Sequence, residues 1–222
     1  MARAPHGRYA PKSRLRHGIP EEADRRDLYR GFLLDTLAAC RSIANVTVHV
    51  AYAPDGGTGG FETLDLSPSD LLAQRGNDLG TRQCGIFEDL FDAGHSKVLV
   101  IGSDLPTLPV QYIEDALSKV NDSLVVLGPS EDGGYYLMGL TAPRGHDPVP
   151  DLFTNIRWST ASALEDTIHA AERTGLTVSQ VASWYDIDTV DGLSRLQEDL
   201  TTAKHIQRAP ETARTLRRIT SR

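Results

Sequence analysis

Consecutive apolar residues in this 222-residue chain never run beyond four, Val98-Leu99-Val100-Ile101 being one such run. A bilayer span needs about 20, so none is expected. Met1 is followed by Ala2, Arg3 and Pro5 with no apolar stretch behind them, which gives no secretory signal. Cysteine is scarce: Cys40 and Cys84 stand far apart, without a CxxC partner or a nearby histidine. They read as two reduced thiols of a cytoplasmic protein rather than as a disulfide or metal site. The seven histidines show no ligand spacing, and Ser103 lacks the G-x-S-x-G setting of a serine hydrolase. There is no internal repeat and no low-complexity stretch. Positive charge is also short overall: 23 basic against 30 acidic side chains leave −7, which argues against a nucleic-acid partner.

That deficit is uneven. Residues 1–30 carry +4, residues 31–199 carry −16, and residues 200–222 carry +5. A basic head and a basic tail flank an acidic body. The tail either extends the last helix, as in a homodimer, or stays solvated.

What is present is an alternation of strand and helix patterns. Apolar residues at helical spacing, Leu28, Phe32, Leu33 and Leu37 among them, predict a helix over 21–41. Residues 46–53 read as a strand stopped by Pro54-Asp55-Gly56-Gly57. A helix is expected over 79–93, ended by Gly94. Residues 97–101 and 123–128 read as strands apolar on both faces, the signature of buried parallel pairing. Another strand follows at 135–140 and a short one at 176–181. Helices are expected at 109–120, 160–174 and 189–202. This pattern predicts an α/β fold with a mixed, mostly parallel sheet in a three-layer α/β/α arrangement. One domain over 1–200 is expected, with 201–222 as tail or helix extension.

Six segments are candidates for chemistry. Asp104 directly follows the 97–101 strand in I-G-S-D-L-P, where open α/β sheets gather ligands. A carboxylate there can hold Mg²⁺ or Mn²⁺ against a diphosphate; the plainer alternative is a turn ahead of Pro106. Asp132-Gly133-Gly134-Tyr135 follows the next strand. Asp132 fits a general base or acceptor-binding group, yet Asp-Gly is equally a hairpin signal. Gln74-Arg75-Gly76-Asn77-Asp78-Leu79-Gly80 opens a helix and suits a phosphate or base edge, or only a capped helix start. The head holds Arg3, Arg8, Lys12 and Arg14 around a Gly/Pro-punctuated loop able to wrap phosphates. Asp186-Ile187-Asp188-Thr189 precedes the last helix, with Asp188 a candidate second metal ligand and at least one member of the run expected to cap the helix. Trp158, before Ser159 and Thr160, is either core or acceptor platform.

The order of these motifs is more specific than any one. A-R-A-P (2–5), K-S-R-L (12–15), Q-R-G-N-D-L-G-x-R (74–82), I-G-S-D-L-P-T-L (101–108), L-G-P-S-E-D-G-G-Y-Y-L-M-G-L (127–140), W-S-T (158–160) and D-I-D-T-x-D-G-L (186–193) occur in sequence. The chain resembles the bacterial glycosyltransferase-like family called radical-SAM/selenodomain-associated transferase 1. The resemblance covers about residues 2–200. It implies the nucleotide-diphospho-sugar transferase (GT-A) fold and a nucleotide-sugar substrate with a small-molecule acceptor. It implies Asp104 as metal ligand and catalytic residue; Asp188 stays the candidate second ligand read from its own segment. Lys12, Arg14, Arg75, Gly76 and Asp78 are implied for the nucleotide, with Arg3, Arg8 and Ser103 as candidates beside them. Asp132, Gly133, Gly134 and Tyr135 are implied for the acceptor, with Trp158 as a candidate platform. Two departures accompany it: the family has a strand before A-R-A-P, which is expected either to be missing here or to lie ahead of a start site drawn too late, and the 7–12 loop is two residues longer. The Gly-Arg-x-x-Pro-Lys arrangement is similar to the phosphate loop of nucleotidyltransferases. A guanylyltransferase-like enzyme using an NTP is therefore the second reading, and a non-catalytic nucleotide-binding protein the third.

Overall fold

In the computed structural model, which describes residues 1–121, 124–145 and 147–221, the chain gathers into two units. One comprises Met1–Ala73, Ser103–Val110 and Asp186–Arg222; the other comprises Gln74–Gly102 and Gln111–Tyr185.

The first unit is built on helix α1, Glu22–Arg41. Glu22 and Asp24 lie in its first turn and Arg41 in its last, each at the end of the helix dipole that favours its charge. Leu28, Tyr29, Phe32, Leu33 and Leu37 form its buried stripe. Strands β1, Val50–Tyr52, and β2, Leu71–Ala73, pair in parallel, with Val50 opposite Leu71. The strand expected over 46–53 is thus confined to its last part. Ala2 flanks β1 through a parallel bridge to Tyr52: its N–H donates to Ala51 O at 2.8 Å and its carbonyl accepts from Ala53 N at 3.0 Å.

The +5 segment is helical. Three helices close this unit, α5, Val190–Asp199, then α6, Ala203–Arg208, and α7, Pro210–Thr220. Thr202 caps α6, and Pro210 suits the first turn of α7 because that position needs no N–H. Helix α7 lies antiparallel on α1. At one end Asp35, 2% exposed, accepts from Glu211 N at 3.1 Å and Thr212 N at 2.8 Å. At the other end Arg218 pairs with Asp27 at 2.7 Å and Asp24 at 3.8 Å. Gly31 lets the helices approach, since a Cβ there would lie 3.2 Å from Thr212 N and 3.3 Å from its Cα.

The second unit holds a four-stranded sheet of order β3-β5-β4-β6: β3 is Lys97–Ile101, β4 Leu124–Pro129, β5 Tyr135–Thr141 and β6 Thr177–Gln180. The pairs β3/β5 and β4/β5 are antiparallel; β4/β6 is parallel. Counting β1/β2 and the bridges Ala2–Tyr52 and Ser130–Trp184, parallel pairings outnumber antiparallel ones. The α/β class with mixed, mostly parallel pairing is the one expected. The particular strand 97–101 nevertheless pairs antiparallel, because β5 returns from the β4 hairpin and inserts beside it. Position 123, expected to begin β4, lies outside the described residues. Helices α2, Leu79–Asp92, α3, Val110–Lys119, and α4, Ala163–Arg173, complete the set. Helix α2 packs beside β3 and α4 beside β6. Helix α4 begins after the Thr160 turn rather than at it, because Thr160 Oγ1 is taken up by Arg157 O at 2.7 Å and Ser162 N at 3.2 Å. Among the described residues no helix is long and apolar enough to cross a membrane.

Candidate active site

Lys12 sits at the mouth of a short 3-10 turn, Ser13–His17, in the left-handed region with φ 58°. Its side chain is only 3% exposed. The ammonium lies 2.8 Å from Asp104 Oδ2 and donates to Asp188 Oδ1 at 2.7 Å and Ile187 O at 2.8 Å. All three of its N–H groups are therefore matched. The rings of Tyr29 and Phe32 on α1 flank it at 5.9 and 5.8 Å, a distance at which a ring face attracts a cation.

Two segments bring the carboxylates to it. Asp104 follows β3 in sequence, and its carbonyl accepts from Ile187 N at 3.0 Å, which fixes the 104 loop to the 187–188 segment. Thr189 caps α5 by accepting from Gly192 N, so Asp188 is left for Lys12. Asp104 and Asp188 keep partial solvent access, with side chains 31% and 39% exposed. Each also has one oxygen that Lys12 does not use: Asp104 Oδ1 is 3.4 Å from Ser103 Oγ, and Asp188 Oδ2 is 3.7 Å from the exposed Arg14. Ser103 is held in turn by Tyr29, hydroxyl to hydroxyl at 3.0 Å, and Tyr29 accepts from Arg3 N at 3.0 Å.

The electrostatics follow from this geometry. Burial opposes the charge on Lys12, but attraction and hydrogen bonding from Asp104 and Asp188 hold it above the usual lysine range. Burial likewise opposes ionisation of Asp188, and Lys12 with Arg14 nonetheless holds it below the usual carboxylate range. Burial pushes the Tyr29 phenol up, and Asp104 adds to the effect. Tyr29 is a neutral hydroxyl at any working pH.

The second unit contains the other motif cluster. Asp132 and Gly133 make the β4–β5 hairpin turn: Gly133 N donates to Ser130 O, and Ser130 N to Gly134 O. Asp132 is exposed, with Oδ1 accepting from Gly134 N at 3.0 Å. Gly133 has φ 88°, and a Cβ there would fall 2.3 Å from Ala161 O. Its own carbonyl accepts from Leu164 N at the start of α4. Tyr135 donates its hydroxyl to Gln83 Oε1 at 3.0 Å, and burial raises its pKa. Trp158 meets Tyr135 edge-on, ring centroids 6.3 Å apart, and packs on Ile156, Ala163 and Ala170.

Residues 36–160, more than half of the chain, match a family described as "Uncharacterized protein conserved in bacteria (DUF2064)". The chain belongs to the DUF2064 family. Among solved structures, a "putative nucleotide-diphospho-sugar transferase from Desulfovibrio desulfuricans G20" is similar at 30% identity, with a TM-score of 0.84. The match covers 99% of this chain and 93% of that one. The DUF2064 chain therefore has the nucleotide-diphospho-sugar transferase fold. No curated protein matches it in sequence.

The structure of this DUF2064 chain sorts the motif residues. It brings Lys12, Asp104, Asp188, Ser103 and Arg14 together, with Arg3 joined through its backbone. Arg8 stacks on Tyr9 at 5.5 Å. Arg75 is turned onto α2, pairing with Asp89 at 2.6 Å and Glu88 at 3.3 Å. Gly76 accepts from Arg82, and Asp78 caps α2 by accepting from Thr81 N at 2.8 Å. The 74–80 segment is thus built as a capped helix start. Asp132, Gly133 and Gly134 form a hairpin turn, Tyr135 follows in β5, and Trp158, partly buried, packs against core residues. Tyr29, Phe32, Gln83 and the Ile187 carbonyl were not legible as site groups. Tyr29 and Phe32 look like any aromatic pair on a buried helical stripe, and a backbone carbonyl has no sequence signal.

Proposed function

We propose that the chain is a transferase that uses a nucleoside-diphosphate sugar, with the Asp104–Asp188 pair as its phosphate and metal centre. The observation that carries this reading is the Lys12 ammonium set between the two carboxylates at 2.8 and 2.7 Å. That arrangement sets two partly solvent-accessible carboxylates against a buried ammonium in the loop that follows a strand, where a charged ligand is gathered in this class of fold.

The donor set suits Mg²⁺ or Mn²⁺. Such ions use one or two carboxylates and leave other positions to water and substrate phosphates. Among the described residues no cluster of three or more His, Cys, Asp or Glu side chains is arranged as a metal cage, so a two-carboxylate, substrate-completed site is the form considered. Asp104 and Asp188 would supply the two carboxylates that hold the ion. When bound, it neutralises the diphosphate and stabilises the departing nucleotide.

The protein's own groups divide the remaining work. Ser103, braced by Tyr29, orients the Asp104 carboxylate. Lys12 and Arg14 stabilise charge developing on the leaving diphosphate. Arg3 and Arg8 present further positive charge along the head. Asp132, exposed on its hairpin in the second unit, is a candidate general base, and Tyr135 follows it in β5. Narrower membership in the transferase 1 family rests on motif order.

Calorimetry with UDP- and GDP-sugars in the presence and absence of Mn²⁺ tests the reading. Metal-dependent binding that Asp104→Asn removes is expected; no binding of any sugar nucleotide with Mn²⁺ overturns it. The buried lysine after Gly-Arg-x-x-Pro favours a nucleotidyltransferase as the second reading, and pyrophosphate release from an NTP would select it.

A further inference from the structure

We propose that Lys12 is a resident counter-cation that keeps the Asp104–Asp188 pair closed to a free divalent metal until a diphosphate draws the ammonium away. The proposal rests on the transferase reading and adds an order to its binding events. Three observations support it. First, the ammonium is fully matched, by Asp104, Asp188 and Ile187 O. It is not a loose surface charge waiting for substrate. Second, its stem is enclosed, 3% exposed, between the rings of Tyr29 and Phe32. Third, its backbone is left-handed at φ 58°. A non-glycine residue keeps that conformation when its surroundings over-determine it, and such strain clusters at switching and binding sites.

The consequence is electrostatic. Two carboxylates alone present −2 to an incoming cation. With the ammonium between them they present −1, and a positive charge lies within 3 Å of an oxygen on each ligand. Arg14 opposes the metal only weakly, being exposed and 3.7 Å from Asp188. A diphosphate changes this balance by offering the ammonium a new set of anionic oxygens. As Lys12 turns to the phosphate, the carboxylate pair recovers its charge. Metal and diphosphate then tighten each other's binding, and by linkage the effect is reciprocal.

Free Mn²⁺ measured by electron paramagnetic resonance reads this directly, with UDP as the diphosphate probe. Wild type should bind Mn²⁺ alone weakly and at least tenfold more tightly with UDP. Lys12→Met should bind Mn²⁺ alone at least tenfold more tightly than wild type and lose most of the UDP effect. Lys12→Arg keeps the charge and should keep binding of Mn²⁺ alone as weak as in wild type. If Lys12→Met binds Mn²⁺ no more tightly than wild type, while wild type still binds Mn²⁺ with UDP, the counter-cation role is refuted and the transferase reading stands. If no protein binds Mn²⁺ with or without nucleotide, the transferase reading itself falls, and this proposal with it. Should Lys12→Met fail to fold, wild type alone decides. Calorimetric titration of UDP with and without Mn²⁺ must show the tenfold coupling, and a change below threefold refutes the proposal.

Discussion

Replacing Asp35 by Asn should alter how stability depends on pH, in a direction opposite to that of most paired carboxylates. Asp35 is buried beneath the start of α7, and burial pushes its pKa up to about 6 from the ordinary 3.8. The amides of Thr212 and Glu211 pull it down, but by less. A raised acid pKa means that the folded chain holds this proton more tightly than the unfolded chain does. The stability gained from the protonated form is complete below about pH 4 and is lost as pH rises through about 6. A shift of about 2 units corresponds to about 3 kcal/mol. An Asn carries no proton to lose, so the wild-type minus D35N stability difference should fall by that amount between pH 4 and 7. Urea unfolding followed by far-ultraviolet circular dichroism is the assay, because Trp158 and Trp184 both lie in the other unit and fluorescence would follow that one. A difference that rises with pH would refute the reasoning. It would mean that the two amide donors and the α7 dipole outweigh the burial of the carboxylate.

Three further outcomes follow from packing. Gly31→Ala gains about 1 kcal/mol of helix propensity but forces the α7 backbone away by a few tenths of an ångström. Overpacking of that kind costs about 1–3 kcal/mol, so a net loss near 1 kcal/mol is expected in the same unfolding assay. Gly133→Ala meets both a positive φ and the Ala161 backbone; a loss of about 2–4 kcal/mol should appear as faster hydrogen exchange at the Leu164 amide. Tyr29→Phe removes the partner of Arg3 N and Ser103 Oγ, costing about 1–3 kcal/mol. Calorimetry should also find its Mn²⁺-dependent UDP binding several-fold weaker, whereas a purely structural hydroxyl would leave that affinity unchanged.

The elements that depend on local pattern could be read directly. Helix α1 and strands β3 and β5 fall where apolar spacing puts them, and Asp104 stands at a strand end because the Gly-Ser-Asp-Leu-Pro break is local. What depends on distant pairing could not be read. An apolar run such as 97–101 is compatible with parallel or antiparallel neighbours, and only the return of β5 decides. Lys12 and Asp188 are 176 positions apart, so the lysine reads as a free phosphate ligand until the fold reveals its partners. Arg75 and Asp78 illustrate the reverse case. Their residue types suit a phosphate, while their neighbours in α2 supply nearer partners, and a helix cap and a phosphate loop draw on the same amino acids. The tail's charge was legible, but not its destination on Asp24, Asp27 and Asp35 of α1.

The discontinuity of the first unit has a consequence in time. Its parts are made before, within and after the second unit, which is complete by Tyr185. At roughly 5–20 residues per second, Asp188 leaves the ribosome's catalytic centre about 9–35 s after Lys12, given the 176 positions between them. For that interval the nascent chain carries a lysine without its Asp188 partner and an α1 face without α7. The Lys12–Asp104–Asp188 cluster therefore closes only after the whole second unit has been made, and a chain cut short before Asp188 lacks one of its two carboxylates.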